Sequence, residues 1–354
     1  MNKKRFAAGA LAAVIVFAAL ATILVGSSSA RPKAKQKQFT AALISDIGRF
    51  NDKSFNQFQL QGLNAITKKL KIKKIALQSD ASSDYIPNMT TAIREGANIV
   101  MDAGYLMAGD LSTVAAQFPN THFTITDDAV SGPANLDFVG KDVHNIEGLT
   151  YATNQNSYLI GCMAAMVTKA EKAPHQTIGV VGGIKIPPVT IFLAGYQAGA
   201  RKCVPGTSVL MGYSGDFVKQ DLCKNVAENQ IQQGAHVIFA VAGGCGLGAL
   251  SAAKDAGLWG VGVDQDQSFL GTYILTSAVK RVDIGIEKAV TQAKAGKFKG
   301  GTNLVFNLKN NGVALGKISP KLPKALKAAV LKKLAVLRKG IISGKIKVPT
   351  VPTG

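Results

Sequence analysis

The chain holds one tryptophan, four histidines and only 6% aromatic residues among 354. So few aromatics argue against a β-sandwich lined with them for carbohydrate binding. The histidines (His122, His144, His175 and His236) lie far apart in sequence, which leaves little room for a His-based metal or catalytic centre. No G-x-S-x-G elbow and no Walker A motif occur, so neither signal for acyl transfer or phosphate cradling is present. None of the four cysteines forms a C-x-x-C pair, which excludes a zinc ribbon and a thioredoxin-type motif. Acidic side chains stop at Glu287, and residues 288–354 carry 15 Lys and Arg. The formal charge of +20 raises nucleic acid or an anionic surface as a partner. The basic stretches lack the interleaved aromatics of single-stranded nucleic-acid binders. Two readings of the basic tail stay open: solvated helix and loop faces, or a patch for anionic lipid or wall polymer.

What is present points to a globular exported protein. Hydrophobic residues make up 47% and charged residues 18%, enough apolar surface for a real core. The length suggests about two domains. Lys3, Lys4 and Arg5 precede an apolar run from Phe6 to Val25, followed by Ser28-x-Ala30, a small-x-small cleavage pattern. Residues 1–30 therefore read as a signal peptide, or as an N-terminal anchor if uncut, and 31–38 as a basic linker. No cysteine follows the run, so no lipid-modified cysteine is expected. Export places the protein in the periplasm or on the outer face of the cell membrane, away from nucleic acid. There, disulfides are permitted. Cys203 ends one helical pattern and Cys223 opens the next, which suggests a Cys203–Cys223 bridge. Cys162 and Cys245 read as small buried residues.

From Phe39 onward, short Val/Ile/Ala-rich strands alternate with helices, the signature of βαβ units and parallel sheets covered on both faces. A long apolar helix from Glu147 to Lys169 divides two such sets, and Leu136–Val139 reads as a further strand. The pattern predicts a first lobe of 39–146 plus about 268–305. The second lobe is then 147–267 plus about 306–354, with a strand pair around Asn303–Val313 and a basic terminal helix from Pro323. Two lobes joined by several crossings form a hinge, and ligands sit in the cleft.

Five stretches lie at strand ends, where a parallel sheet binds ligands. Asp46 opens the first, Ser45–Asn56, where it can accept hydrogen bonds from ligand hydroxyls or amines. Asp52 suits a helix N-cap supported by Asn51 and Ser54. Phe55 suits either core packing or stacking on a flat ring. The Gly-rich Val241–Gly248, containing Gly243, imitates a dinucleotide fingerprint with G-x-G-x-G spacing, but suits close backbone approach by a ligand better. Gly262–Gln267 offers Asp264 for ribose hydroxyls and lacks the oxygen ligands of a calcium loop. Lys280 can donate to a ring atom or be solvated. Phe217, in Tyr213–Phe217, would face Phe55 across the cleft.

Together these stretches resemble the basic membrane protein family, exported solute receptors that bind purine nucleosides for ABC importers. Asp46–Asn56 matches its D-x-G-x-x-N-D-x-S-F-N, Gly262–Gln267 its G-V-D-x-D-Q, and Leu275–Asp283 its L-T-S-x-x-K-R-x-D. Gly179–Pro188 and Gly340–Pro349 also fit, and the likeness spans nearly all of 39–350. Gln155-Asn156 stand where members usually carry E-G. The resemblance implies a type I periplasmic-binding-protein fold of two doubly wound parallel-sheet lobes with a multi-strand hinge. It implies a monomeric, non-enzymatic substrate-binding protein without cofactor or metal. Its ligand would be a purine nucleoside (adenosine, guanosine or inosine) and its partner an ABC permease in the membrane. The resemblance implies ligand contacts at Asp46, Phe55, Phe217, Asp264 and Lys280, with Asp127 as a base contact; Asn51 and Gly243 complete the expected ligand-binding set. A secreted sensor or adhesion protein of the same fold, and an NAD-dependent enzyme using the Gly244 turn, are the alternatives.

Overall fold

A computed structural model describes residues 38–353; the expected signal segment and most of the linker lie outside them. The first strand, β1 (Thr40–Ile47), is buried along nearly its whole length, as a central parallel strand covered on both faces must be. Helix α1 (Phe55–Leu70) follows and stops where Lys71 turns left-handed, its N–H returned to the carbonyls of Thr67 and Lys68. The alternation continues through β2 (Lys73–Ser79), α2 (Tyr85–Arg94), β3 (Ile99–Ala103), α3 (Ala108–Gln117) and β4 (His122–Thr126).

Two expectations fail in the next stretch. No strand forms at Leu136–Val139, although Phe138 is buried there. The predicted helix from Glu147 is in fact strand β5 (Ile146–Tyr151) followed by α4 (Thr153–Ala170). Of the 18 residues of α4, 14 are buried, so its apolar run shows no helical stripe to separate it from the strand before it.

The second half repeats the theme with β6 (Thr177–Gly182), α5 (Pro187–Cys203), β7 (Ser208–Tyr213), α6 (Gln220–Gln232), β8 (Ala235–Val241), α7 (Gly246–Asp255), β9 (Trp259–Asp264) and β10 (Ile274–Lys280). Helix α8 (Val282–Lys294), β11 (Asn303–Phe306), β12 (Val313–Leu315) and α9 (Lys324–Ile342) complete the described chain. Two six-stranded sheets result, ordered β11-β5-β4-β3-β1-β2 and β12-β10-β9-β8-β6-β7.

Sheet membership corrects the expected lobe boundaries. β5 belongs to the first sheet and β10 to the second, while β11 and β12 divide between the sheets instead of pairing. β11 runs parallel to β5, and β12 antiparallel to β10. Helix α8 returns to the first lobe against α1, β3 and β4. The chain thus crosses between lobes three times: after β5, after β10 and between β11 and β12. Backbone bonds tie the crossings together, from Ala152 N–H to Phe306 O (2.8 Å) and from Arg281 N–H to Gly312 O (2.9 Å). The departure Asn156 adds two more, its Nδ2 donating to Val279 O and Ala314 O, both at 3.0 Å.

The expected Cys203–Cys223 bridge is absent. The bridges are Cys162–Cys203 and Cys223–Cys245. Neighbouring residues on a strand point to opposite faces. Val180 shares a core with Phe192, Tyr196 and Cys162, whereas Val181 shares one with Cys223, Ala227 and Cys245. Cys203 at the end of α5 and Cys223 on α6 therefore lie on opposite sides of the second sheet. Each pairs with a neighbour on its own side. Cys162 meets Cys203 because α4 and α5 approach closely: a Cβ on Gly161 or Gly199 would fall 1.9 Å from a backbone oxygen of the other helix.

Candidate ligand-binding site

The carboxyl ends of both sheets face one cleft of about 600 Å³, open in part to solvent. It is lined by Asp46, Phe55, Asp127, Phe217, Gly243, Asp264 and Lys280, seven of the eight predicted residues. The eighth, Asn51, is exposed and does not line the cleft. Its neighbours do: Asp52 and Asn56 lie on the cleft wall. Asp52 also performs the expected capping, accepting the N–H groups of Ser54 (2.9 Å), Asn56 (2.8 Å) and Gln57 (3.0 Å).

The strand ends aim these groups. Asp127, just beyond β4, and Asp264, ending β9, both have left-handed backbones, with φ of 74° and 64°. Aspartate tolerates this region better than most residues, and such outliers persist where surrounding structure over-determines them. Lys280, ending β10, is 2% exposed and bonds the Asp127 carboxylate. Its Nζ lies 4.8 Å from the ring centre of Phe55, 5.3 Å from Tyr151 and 5.8 Å from Phe192. One ammonium thus sits among three aromatic faces and beside one carboxylate, an arrangement suited to a buried cation.

The acids are all strained towards neutrality by burial. Desolvation pushes Asp264 up to about 6, against the opposing pull of Lys280 and the Ser54 hydroxyl. It pushes Asp46 up to about 6 as well, opposed by hydrogen bonds from the Tyr85 hydroxyl and the Ile47 N–H. Burial also raises Asp127, with Lys280 opposing. Asp46 is held from the other side too, its N–H donating to Asn56 Oδ1 at 3.0 Å.

Phe217 reaches the cleft because Gly183 makes room. A Cβ there would stand 2.4 Å from the Phe217 ring. Gly104 does the same for Asp46, where a Cβ would stand 2.5 Å from the carboxylate. The Gly243-Gly244 turn packs against the Phe217 carbonyl, and the Cys245 N–H donates to it at 2.8 Å. The turn therefore serves close packing beside the cleft, with Gly244 against Asp52 of the opposite lobe. Tyr105, Ile186, Val189 and Phe192 also stand on the cleft wall, outside the predicted set. Tyr105 was findable, since Gly104-Tyr105 follows strand β3 at the same sheet edge. The apolar residues at the start of α5 carry no signal beyond an ordinary helix face.

A family model for PnrA-like ABC transporter substrate-binding proteins, Bmp, matches residues 39–351. The chain belongs to this family. It is 33% identical over 376 residues to a CD4+ T-cell-stimulating antigen of Listeria monocytogenes, covering 99% of this chain and 100% of that one. It is 33% identical over 363 residues to the ABC transporter nucleoside-binding protein BmpA of Lactococcus lactis, covering 96% and 97%. A crystal structure of an ABC transporter solute-binding protein from Aeropyrum pernix superposes with a TM-score of 0.76 at 24% identity, over 88% of this chain and 93% of that one. The Bmp fold is thus that of type I periplasmic solute-binding proteins, and the protein is a substrate-binding protein, not an enzyme. The alternative of an NAD-dependent enzyme falls with it.

Proposed function

We propose that the protein captures a purine nucleoside between its lobes and presents the closed form to an ABC permease. What supports this reading is the meeting of Phe55, Asp127, Phe217, Asp264 and Lys280 from both lobes in one cleft. The relative named as nucleoside-binding is matched along nearly its whole length. Phe55 and Phe217 stack on the base, each contributing about 1–3 kcal/mol. Asp264 accepts the ribose hydroxyls in charge-assisted bonds of roughly 1.5–3 kcal/mol. Asp46 and Asp127 meet polar edges of the ligand, and Lys280 offsets their charge. Contacts to both lobes favour closure, because a ligand shifts a conformational equilibrium only by its differential affinity for the two states.

ABC substrate-binding proteins work outside the cytoplasm, where the permease meets them. Among the described residues no helix is long and apolar enough to cross a membrane. We place any anchor in the N-terminal apolar run of the sequence, without lipidation, and read the protein as a monomer. Calorimetry with adenosine, guanosine and inosine tests the site. Asp264→Ala is expected to weaken binding of the preferred nucleoside at least about tenfold. Binding as tight as the parent's would remove the ribose assignment.

A further inference from the structure

The segment Asp264-Gln265-Asp266-Gln267 reaches across to the first lobe at three points. Ser54 Oγ donates to Asp264 Oδ2 at 2.5 Å. Gln267 Nε2 donates to the Lys53 carbonyl at 2.8 Å, and Gln61 Nε2 to Gln265 Oε1 at 3.4 Å. Asp266 stays within its own lobe, accepting the Ser268 N–H at 3.2 Å. We propose that Gln267 is a positioning residue, the centre of a lobe-to-lobe latch that holds the cleft closed and governs how long ligand is retained.

Gln267 is built for this role. It is 2% exposed and does not line the cleft. Its Oε1 accepts the Val263 N–H at 3.0 Å, and its own N–H donates to Ser277 Oγ at 3.0 Å. The second lobe therefore consumes the acceptor end of the carboxamide and fixes its orientation. Only the donor end is left, and it points at the first lobe. The receiving carbonyl is equally fixed. Lys53 has a left-handed backbone, with φ of 53°, between the Asp52 cap and the start of α1. Its N–H is held by Gln57 Oε1 at 3.0 Å. A residue in that strained turn presents its carbonyl to the buried Gln267 amide, which donates to it at 2.8 Å.

In the open form these groups bond water, so each link favours closure only modestly. The effect is still felt in affinity, because apparent affinity scales with the fraction of molecules in the binding-competent state. The latch rests on the two-lobe binding reading but not on the identity of the ligand.

Gln267→Glu is the sharpest test. It keeps the acceptor for Val263 N–H, removes the donor and sets an oxygen against the Lys53 carbonyl. Ser54→Ala and Gln61→Ala weaken the same latch from the first lobe without burying a new acid, should the Glu variant not fold. Small-angle scattering of ligand-free protein is expected to show a larger radius of gyration in the variants than in the parent. Stopped-flow release of inosine is expected to be roughly three- to tenfold faster, with association little changed. Identical scattering curves for parent and variants, or slower association with unchanged release, would overturn the latch. Should no nucleoside bind, scattering alone still decides it, so the latch and the ligand assignment fail separately.

Discussion

The two lobes share one backbone plan and fill it with different chemistry. Their first five strands follow the same order, with β1, β2, β3, β4 and β5 of one sheet matching β6, β7, β8, β9 and β10 of the other. The matched strands β4 and β9 lead to Asp127 and Asp264, both left-handed. The matched strands β5 and β10 end in Tyr151 and Lys280. The plan thus delivers a carboxylate from each lobe, but a cation from only one. The first lobe also buries acids without hydrogen-bond partners, with Asp102 and Glu147 both fully inaccessible, and carries no disulfide among the described residues. The second lobe holds both disulfides. Fold similarity alone therefore says where ligand groups stand, and the residue at each strand end says what they do.

The largest effect should come from the residue that breaks the symmetry. Lys280→Met leaves Asp127 buried without its cation, and should cost about 3–5 kcal/mol in denaturant unfolding at neutral pH. Part of the loss should return as pH falls, because Asp127 can then take up a proton. The double variant Lys280→Met, Asp127→Asn should recover most of it at every pH. Equal losses in the single and double variants would contradict the pairing.

Next come the disulfides of the second lobe. Replacing Cys162 and Cys203 together by Ser should cost about 2–4 kcal/mol in unfolding. Serine at 203 and 223 instead should leave Cys162 and Cys245 as two free thiols, which labelling of unfolded protein would count. Somewhat smaller is the loss from the stacking rings. Phe55→Ala or Phe217→Ala should weaken nucleoside binding by about 1–3 kcal/mol each, read by calorimetry. Gly183→Ala should weaken it too, by displacing the Phe217 ring.

The smallest effect is the pH dependence of the cleft acids. Asp46 and Asp264 have folded values of about 6, above their ordinary 3.8. Their contribution to stability is therefore fully present below about 3.8 and lost as pH rises through about 6. Ligand-free protein should melt at a higher temperature at pH 5 than at pH 7.5, and Asp46→Asn with Asp264→Asn should flatten that difference. Nucleoside affinity should move the other way, weakening below about pH 6 as Asp264 loses the charge that accepts the ribose hydroxyls.

The sheet edges were legible in the sequence because a parallel strand ending in Asp or Gly is a local pattern. Asp46 and Asp264 stand out in that way, whereas Asp127 enters only through the family resemblance. Less legible was anything set by packing across distance. Strand β5 merged with α4 because both are buried and one apolar run covers them. The disulfide pairing is illegible because sequence spacing does not reveal which face of a sheet a helix occupies. Asn51 matched a motif but points to solvent, while Asp52 beside it caps the helix and lines the cleft. The Gln267 latch was invisible because its partner is a backbone carbonyl 214 residues earlier.

The most direct test of the nucleoside reading is thermal unfolding of the purified protein, freed of carried-over ligand, against nucleosides, free bases, ribose and NAD. Ligand at 100 times its dissociation constant stabilises the native state by about 2.7 kcal/mol, a shift of a few degrees. A shift with adenosine, guanosine or inosine, and none with ribose or free base, is the predicted result. No shift with any nucleoside would contradict the assigned ligand and leave only the fold and family standing.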